Sequence, residues 1–243
     1  MKTLIIIPSR MSATRLPGKP LLEINGLSVV SHVAKRAEES NIGEVIVATE
    51  DQEIMDDVKK NGFNAILTSN THKTGTDRVY EAFKKSNIKN VDLIMNLQGD
   101  EPAINIEDII DLNKKMIKNN SNLGTLAAVI KDSNDLKNVN IVKVTTEKNL
   151  RGNNFPKAVS FSRNSVNKEN IYHHIGIFYY STDTLEKFIR LDQSKNEINH
   201  RLEQLRALDN NIDINVSLAK SSPIGVDTME DYLAVKKIME YNN

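Results

Sequence analysis

Residues 3–21 read TLIIIPSRMSATRLPGKPL. After Thr3 the run is apolar up to Pro8, and then Arg10, Arg15 and Lys19 arrive with no acid among them. A short unbroken apolar run predicts a parallel β-strand buried on both faces. Pro17-Gly18 turns the chain, so the three cations sit on a loop at the strand's carboxyl end. That is where open α/β sheets bind ligands. Arginine forks onto phosphate oxygens and lysine acts as a point charge. A solvated face usually mixes its signs, so this loop reads as an anion site. The Walker pattern GxxxxGK[ST] is missing, which excludes a P-loop NTPase, and no GxGxxG turn follows the strand.

Outward from this strand, apolar runs alternate with amphipathic segments. Strands are expected at residues 44–48, 64–67, 91–97 and 123–130. Helices are expected at 28–39, 52–60, 77–85 and 106–118, with apolar residues at helical spacing and Gly62 as a stop. The alternation predicts an α/β fold: a doubly wound, mainly parallel sheet wrapped by helices. From about residue 132 the pattern changes. Residues 141–146, 157–162 and 174–181 read as strands without long helices between them. Residues 131–220 are therefore expected to form a smaller, more antiparallel lobe inserted into a single domain of residues 1–243, which a helix over 227–241 closes. Residues 202–208 carry Leu202, Leu205 and Leu208, the mark of an amphipathic helix on which Glu203 and Gln204 would be exposed.

The chain has 243 residues, with Lys plus Arg and Asp plus Glu both at 32. Zero net charge gives no case for nucleic acid or an anionic membrane. Cysteine is absent, which excludes disulfides, thiolate metal sites and a cysteine nucleophile. No apolar stretch approaches the ~20 residues of a membrane helix, and no signal-peptide pattern opens the chain. The expectation is a soluble cytoplasmic protein.

Two further motifs carry chemistry. In Thr74-Gly75-Thr76-Asp77-Arg78, Thr76 or Asp77 reads as a helix cap. Arg78 in the first helical turn opposes the macrodipole and calls for acceptor oxygens. Gly75 permits close backbone approach to a planar ligand. In Gln98-Gly99-Asp100-Glu101-Pro102, acids follow a buried strand, where surface solvation is poor. Asp100 reads as a Mg²⁺ ligand, since magnesium combines a few carboxylate oxygens with phosphates and waters. Asp227 is a second candidate, beside Thr228 and Asp231, which resemble a capping box.

These motifs resemble those of the cytidylyltransferases that activate 3-deoxy-manno-octulosonate (Kdo). IIPSRMSATRLPGKPL is similar to their loop IPARxxSTRLPGKPL, with Ser9 in place of the usual alanine. TGTDR is similar to their SGTDR. QGDEP matches as it stands, and GVDTMED matches GVDTxED. Phe161-Ser162-Arg163, His173-His174-Ile175-Gly176 and 202–206 (LEQLR) also match, so the resemblance spans residues 5–232.

The resemblance implies a nucleotide-diphospho-sugar-transferase-like fold that transfers CMP from CTP to the anomeric hydroxyl of Kdo, for lipopolysaccharide synthesis. It implies that Pro8, Ser9, Arg10, Arg15, Lys19, Thr74, Gly75, Arg78 and Asp100 bind the nucleotide. Asp100 and Asp227 would hold Mg²⁺, and Arg15, Lys19 and Asp100 would act in catalysis. Gln98, Arg163, His174, Glu203 and Gln204 would surround the sugar acid. It also implies a homodimer. By pattern alone, His174 on a strand reads as a packed histidine. Residues 164–172 are shorter and more polar than in the family. That keeps open a cytidylyltransferase for another acidic sugar, such as amino-Kdo or a sialic-like acid. A non-catalytic nucleotide sensor is the other alternative, and it would not need both metal carboxylates.

Overall fold

The computed structural model describes residues 1–12, 15–152, 154–164 and 169–241. Residues 13–14 of the cationic loop and 165–168 of the divergent segment lie outside them. In chain order the first elements are β1 (Thr3–Ser9), a 3-10 turn (Lys19–Leu21), β2 (Glu23–Ile24), β3 (Leu27–Ser28), α1 (Val29–Glu39) and β4 (Gly43–Thr49). Next come α2 (Gln52–Lys60), β5 (Ala65–Leu67), α3 (Gly75–Ser86), β6 (Leu93–Asn96), α4 (Ile106–Lys118) and β7 (Leu123–Ala128). The chain continues with α5 (Ser133–Lys137), β8 (Lys143–Thr146), β9 (Ala158–Ser162), β10 (Ile171–Ser181) and α6 (Thr182–Ile189). It ends with α7 (Lys195–His200), α8 (Leu205–Asp209), β11 (Asn215–Leu218) and α9 (Met229–Tyr241).

Two compact units divide the chain: Met1–Glu107 with Pro223–Asn243, and Asp108–Ser222. In the first, β1 pairs in parallel with β4 on one side and β6 on the other, and β4 pairs in parallel with β5. Leu4, Ile5, Ile6 and Ile7 are fully buried, as a central strand with two covered faces requires. Helices α1, α2 and α3 pack on these strands. A second apolar cluster unites Leu16 of the cationic loop with Ile24, Val29, Val226, Tyr232 and Val235. The Tyr232 hydroxyl donates to the Glu23 carbonyl at 2.6 Å, which ties α9 to the segment after the loop.

In the second unit β7 pairs in parallel with β11 but antiparallel with β10. β10 and β8, and β8 and β9, are also antiparallel. The result is an α/β fold, mainly parallel, with a more antiparallel insertion. Among the described residues no helix is long and apolar enough to cross a membrane.

Candidate active site

The cationic loop leaves β1 at Ser9 and is fastened at both ends. The Met11 N–H donates to Asp51 Oδ2 at 2.8 Å, and the Gly18 N–H donates to the Met11 carbonyl at 3.1 Å. Gly18 has φ +74°, a left-handed conformation that a side chain disfavours. It starts the 3-10 turn whose first residue is Lys19, with Pro20 behind it in the core.

Asp100 follows β6 after Gly99. A Cβ on Gly99 would lie 2.9 Å from the Pro8 carbonyl oxygen, so only glycine lets this turn approach β1 so closely. The Asp100 carbonyl accepts from the Val226 N–H at 2.8 Å. That bond, with Val226 buried in the Leu16 cluster, brings the distant 223–228 segment beside Asp100. Thr228 and Asp231 form the box that opens α9: the Thr228 N–H donates to Asp231 Oδ2 at 2.8 Å, and the Asp231 N–H to Thr228 Oγ1 at 3.2 Å. Capping therefore does not consume the Asp227 side chain.

Asp100 and Asp227 meet at one ammonium. Lys19 Nζ donates to Asp100 Oδ2 at 2.6 Å and to Asp227 Oδ1 at 3.0 Å. Arg15 Nη2 lies 2.8 Å from Asp227 Oδ2. Burial works against the Lys19 charge, but Asp100 and then Asp227 outweigh it and raise its pKa above the ordinary value. Next to these acids, the Glu101 Oε2 atom is buried with no hydrogen-bond partner among the described residues. Burial first, then the charges of Asp100 and Asp227, push its carboxyl up to about 8.

The acids and cations line a cavity of about 350 Å³, together with Pro8, Ser9, Arg10, Pro20, His72, Lys73, Thr74, Gly75, Arg78, Gln98 and Gly99. All nine residues that the sequence assigned to nucleotide binding are on this wall, as are Gln98 and Asp227.

Two of them are engaged differently than the sequence suggested. The α3 cap is Thr74, not Thr76 or Asp77: Thr74 Oγ1 accepts from the Asp77 N–H at 3.2 Å, and Asp77 Oδ2 accepts from the Thr74 N–H at 3.2 Å. Arg78 finds its acceptors inside the protein. It is 3% exposed, donates to Thr68 Oγ1 at 2.7 Å and pairs with Glu50 at the end of β4. Glu50 was not foreseen, nor were His72 and Lys73 just before the TGTDR motif.

Arg163, His174, Glu203 and Gln204 belong to the second unit. Arg163 Nη1 donates to the Val139 carbonyl at 3.2 Å. His174 is buried, its Nε2 2.9 Å from Thr125 Oγ1 and its ring edge-on to Phe161. Burial, with His173 adding to it, drives its pKa down to about 3. Since the Thr125 hydroxyl also reaches the Ile177 carbonyl at 2.6 Å, that carbonyl takes its hydrogen and His174 Nε2–H is the donor to Thr125. Glu203, half-buried, and Gln204, buried, both correct the sequence reading that made them exposed. Gln204 is buried because α8 starts only at Leu205 and Leu202 turns into the core. The same segment is drawn inward by the buried Arg206–Glu197 pair, joined at 2.8 and 2.6 Å.

A family model described as cytidylyltransferase matches residues 4–214. The 3-deoxy-manno-octulosonate cytidylyltransferase of Nitrobacter winogradskyi is 39% identical, covering 98% of this chain and 94% of that one. That of Thermodesulfovibrio yellowstonii is 40% identical, covering 98% of both. This chain belongs to the 3-deoxy-manno-octulosonate cytidylyltransferase family. A family structure, CMP:2-keto-3-deoxy-manno-octonic acid synthetase complexed with CTP, superposes with a TM-score of 0.91 at 32% identity over the whole of both chains. The fold extends further: 4-diphosphocytidyl-2C-methyl-D-erythritol synthase from Anaerococcus prevotii superposes at 0.68 with 14% identity.

Proposed function

We propose that the chain is a Mg²⁺-dependent enzyme that transfers CMP from CTP to the anomeric hydroxyl of Kdo. The products are CMP-Kdo, for lipopolysaccharide synthesis, and pyrophosphate. The observation that carries this is the meeting of Arg15 and Lys19 with Asp100 and Asp227 in one cavity, beside the cap of α3. A sensor needs the cations but has no use for the paired acids.

The donor set fits magnesium. Two carboxylates reach a single point now held by an ammonium. An ion that keeps waters and takes phosphate oxygens suits that arrangement. Asp100 and Asp227 would hold it, and when bound it polarises the α-phosphate and neutralises charge there. Arg10, Arg15 and Lys19 would bind the triphosphate. Arg15 and Lys19 would stabilise charge building on the leaving pyrophosphate, each contact being worth about 10²–10³-fold in rate. Thr74, Gly75 and Arg78 would hold the nucleoside, Arg78 by fixing the wall through Glu50. Gln98, Arg163, His174, Glu203 and Gln204 would orient the acidic sugar, His174 as a neutral ring. Positioning and charge stabilisation would then carry the catalysis. The enzyme works in the cytoplasm as a homodimer on this reading.

The test is pyrophosphate release with CTP, Mg²⁺ and Kdo, repeated with UTP, with ATP, and with amino-Kdo and a sialic acid in place of Kdo. Turnover confined to CTP and Kdo is the expected result. Faster turnover of another acidic sugar reassigns the substrate. CTP binding with no pyrophosphate from any sugar favours the sensor.

A further inference from the structure

Two motifs of the second unit, Phe161-Ser162-Arg163 and His173-His174-Ile175-Gly176, flank one strand. In β8, Lys143 stands opposite Ser162 of β9 on one side and His173 of β10 on the other. Lys143 is 1% exposed. The next residue, Val144, pairs with Phe161 and Tyr172, and all three are buried. A charged head group is costly to bring into such a place. Burial lowers the Lys143 pKa below its ordinary value; the Asp135 charge opposes that, and the Arg163 charge adds to it. A methionine would fill a similar volume without this cost, so packing alone does not account for a lysine.

What the lysine holds is Arg163. Lys143 Nζ donates to the Arg163 carbonyl at 2.8 Å and to the Asn138 carbonyl at 2.5 Å. Asn138 anchors the short loop between α5 and β8. Its carbonyl also accepts from the Ile141 N–H at 3.2 Å, and its Oδ1 accepts from the Asn140 N–H at 3.0 Å. The carbonyls of Val139 and Asn140 on that loop accept from Arg163 Nη1 at 3.2 and 3.5 Å. One buried lysine thus fixes both ends of Arg163, the main chain directly and the guanidinium through the loop. The guanidinium's protein acceptors here are neutral carbonyls. It is placed without being neutralised, which suits it to take an incoming carboxylate.

We infer that Lys143 is a positioning residue for the acidic sugar: it sets Arg163 where the sugar's carboxylate is bound, and does not touch the substrate itself. The inference rests on the reading of Arg163 as a sugar-binding residue.

The test is steady-state pyrophosphate release with Kdo varied at saturating CTP and Mg²⁺, beside calorimetric titration of CTP. The proteins are the parent, Lys143→Met, Lys143→Gln, Arg163→Ala and the double variant Lys143→Met/Arg163→Ala. Loss of a charge-assisted hydrogen bond predicts that Arg163→Ala raises the KM for Kdo by about 10–100-fold. Lys143→Met raises it by about tenfold, since it misplaces the guanidinium instead of removing it. In both, kcat stays within about threefold of the parent, as for a contact made equally in ground and transition states. CTP affinity stays within about twofold. The double variant is no worse than Arg163→Ala, because Lys143 acts only through Arg163.

A folded Lys143→Met with the parent's KM for Kdo, while Arg163→Ala raises it, overturns the inference and leaves the lysine a role in the fold alone. A loss shared equally by CTP and Kdo overturns it too, as does a double variant in which the two losses multiply. If Lys143→Met does not fold, Lys143→Gln decides, its shorter amide being unable to reach both carbonyls at once: a KM for Kdo equal to the parent's overturns the positioning role. Arg163→Ala with an unchanged KM for Kdo ends the sugar reading of Arg163, and this inference with it.

Discussion

Burial of a neutral His174 costs the fold stability at acid pH, and His174→Leu measures that cost. The native imidazole titrates at about 3 because burial disfavours its charge, against an ordinary value of about 6.5. Above pH 6.5 the ring is neutral folded and unfolded, and it adds no pH dependence. Between 6.5 and 3 the unfolded chain binds a proton that the native chain refuses. Stability therefore falls as pH falls through that window, by about 1.4 kcal/mol per unit. At pH 4.5 this loss reaches about 2–3 kcal/mol. Leucine removes the titration. It also removes the bond to Thr125, which costs roughly 1 kcal/mol at neutral pH, while the Thr125 hydroxyl keeps its bond to the Ile177 carbonyl. The two stability curves should thus cross near pH 6: the parent is the more stable at pH 8, the variant the more stable at pH 4.5. Urea unfolding of both proteins from pH 4.5 to 8 provides the comparison, and the difference cancels the carboxylates that also titrate there. A difference that stays constant with pH would show that His174 titrates normally, and the packed, neutral ring would be wrong.

Three other outcomes are expected. Asp100→Asn lowers Mg²⁺-dependent pyrophosphate release by 10²-fold or more, by analogy with loss of a single preorganised electrostatic contact, with the melting temperature within a few degrees of the parent; near-normal turnover removes Asp100 from the site. Lys19→Met strengthens Mn²⁺ binding without nucleotide, read by electron paramagnetic resonance, by about tenfold, since the ammonium no longer competes for the two carboxylates. It nonetheless slows CTP turnover, and an unchanged Mn²⁺ affinity refutes the competition. Arg78→Lys destabilises by about 1.5–3 kcal/mol in chemical unfolding, because a lysine cannot fork to Thr68 and Glu50 together.

Local patterns were legible in the sequence where one physical cause dominates. The run at residues 4–7 predicted a strand buried on both faces, and it lies between β4 and β6 in the first unit. The switch to strands without long helices after residue 132 marks the antiparallel pairings of β8, β9 and β10. The cation loop was readable because three like charges on a turn need an explanation. What escaped were partners far apart in sequence. Lys19 meets acids 81 and 208 residues away, and no local spacing encodes that. Arg78 in a first helical turn signalled a missing acceptor, but not that Glu50, 28 residues earlier, supplies it. His72 carried a weak signal, a titratable ring two residues before a helix cap. Its partner is Glu81 of α3. Gln204 was misread because leucine spacing outlines a helix without showing where it begins.

The paired charges also explain how a chain of zero net charge prepares a site for a highly charged substrate. Without ligand, Lys19 and Arg15 neutralise Asp100 and Asp227, so neither pair of like charges faces the cavity uncompensated. Glu101, buried next to them, is held neutral up to about pH 8, because burial and these same acids disfavour a further charge. A nucleotide arriving alone would draw the cations to its phosphates and leave two adjacent carboxylates repelling each other. A divalent cation arriving alone would have to displace the ammonium. On the magnesium reading proposed above, the two arriving together would each supply the partner that the other takes away, so the four side chains would exchange counter-ions without passing through an unpaired state. If the proposed Mg²⁺ binds here, its coupling to the nucleotide would be reciprocal by thermodynamic necessity, and it would originate in the geometry of a single lysine bridging two acids that the Val226–Asp100 bond and the Leu16 cluster hold side by side.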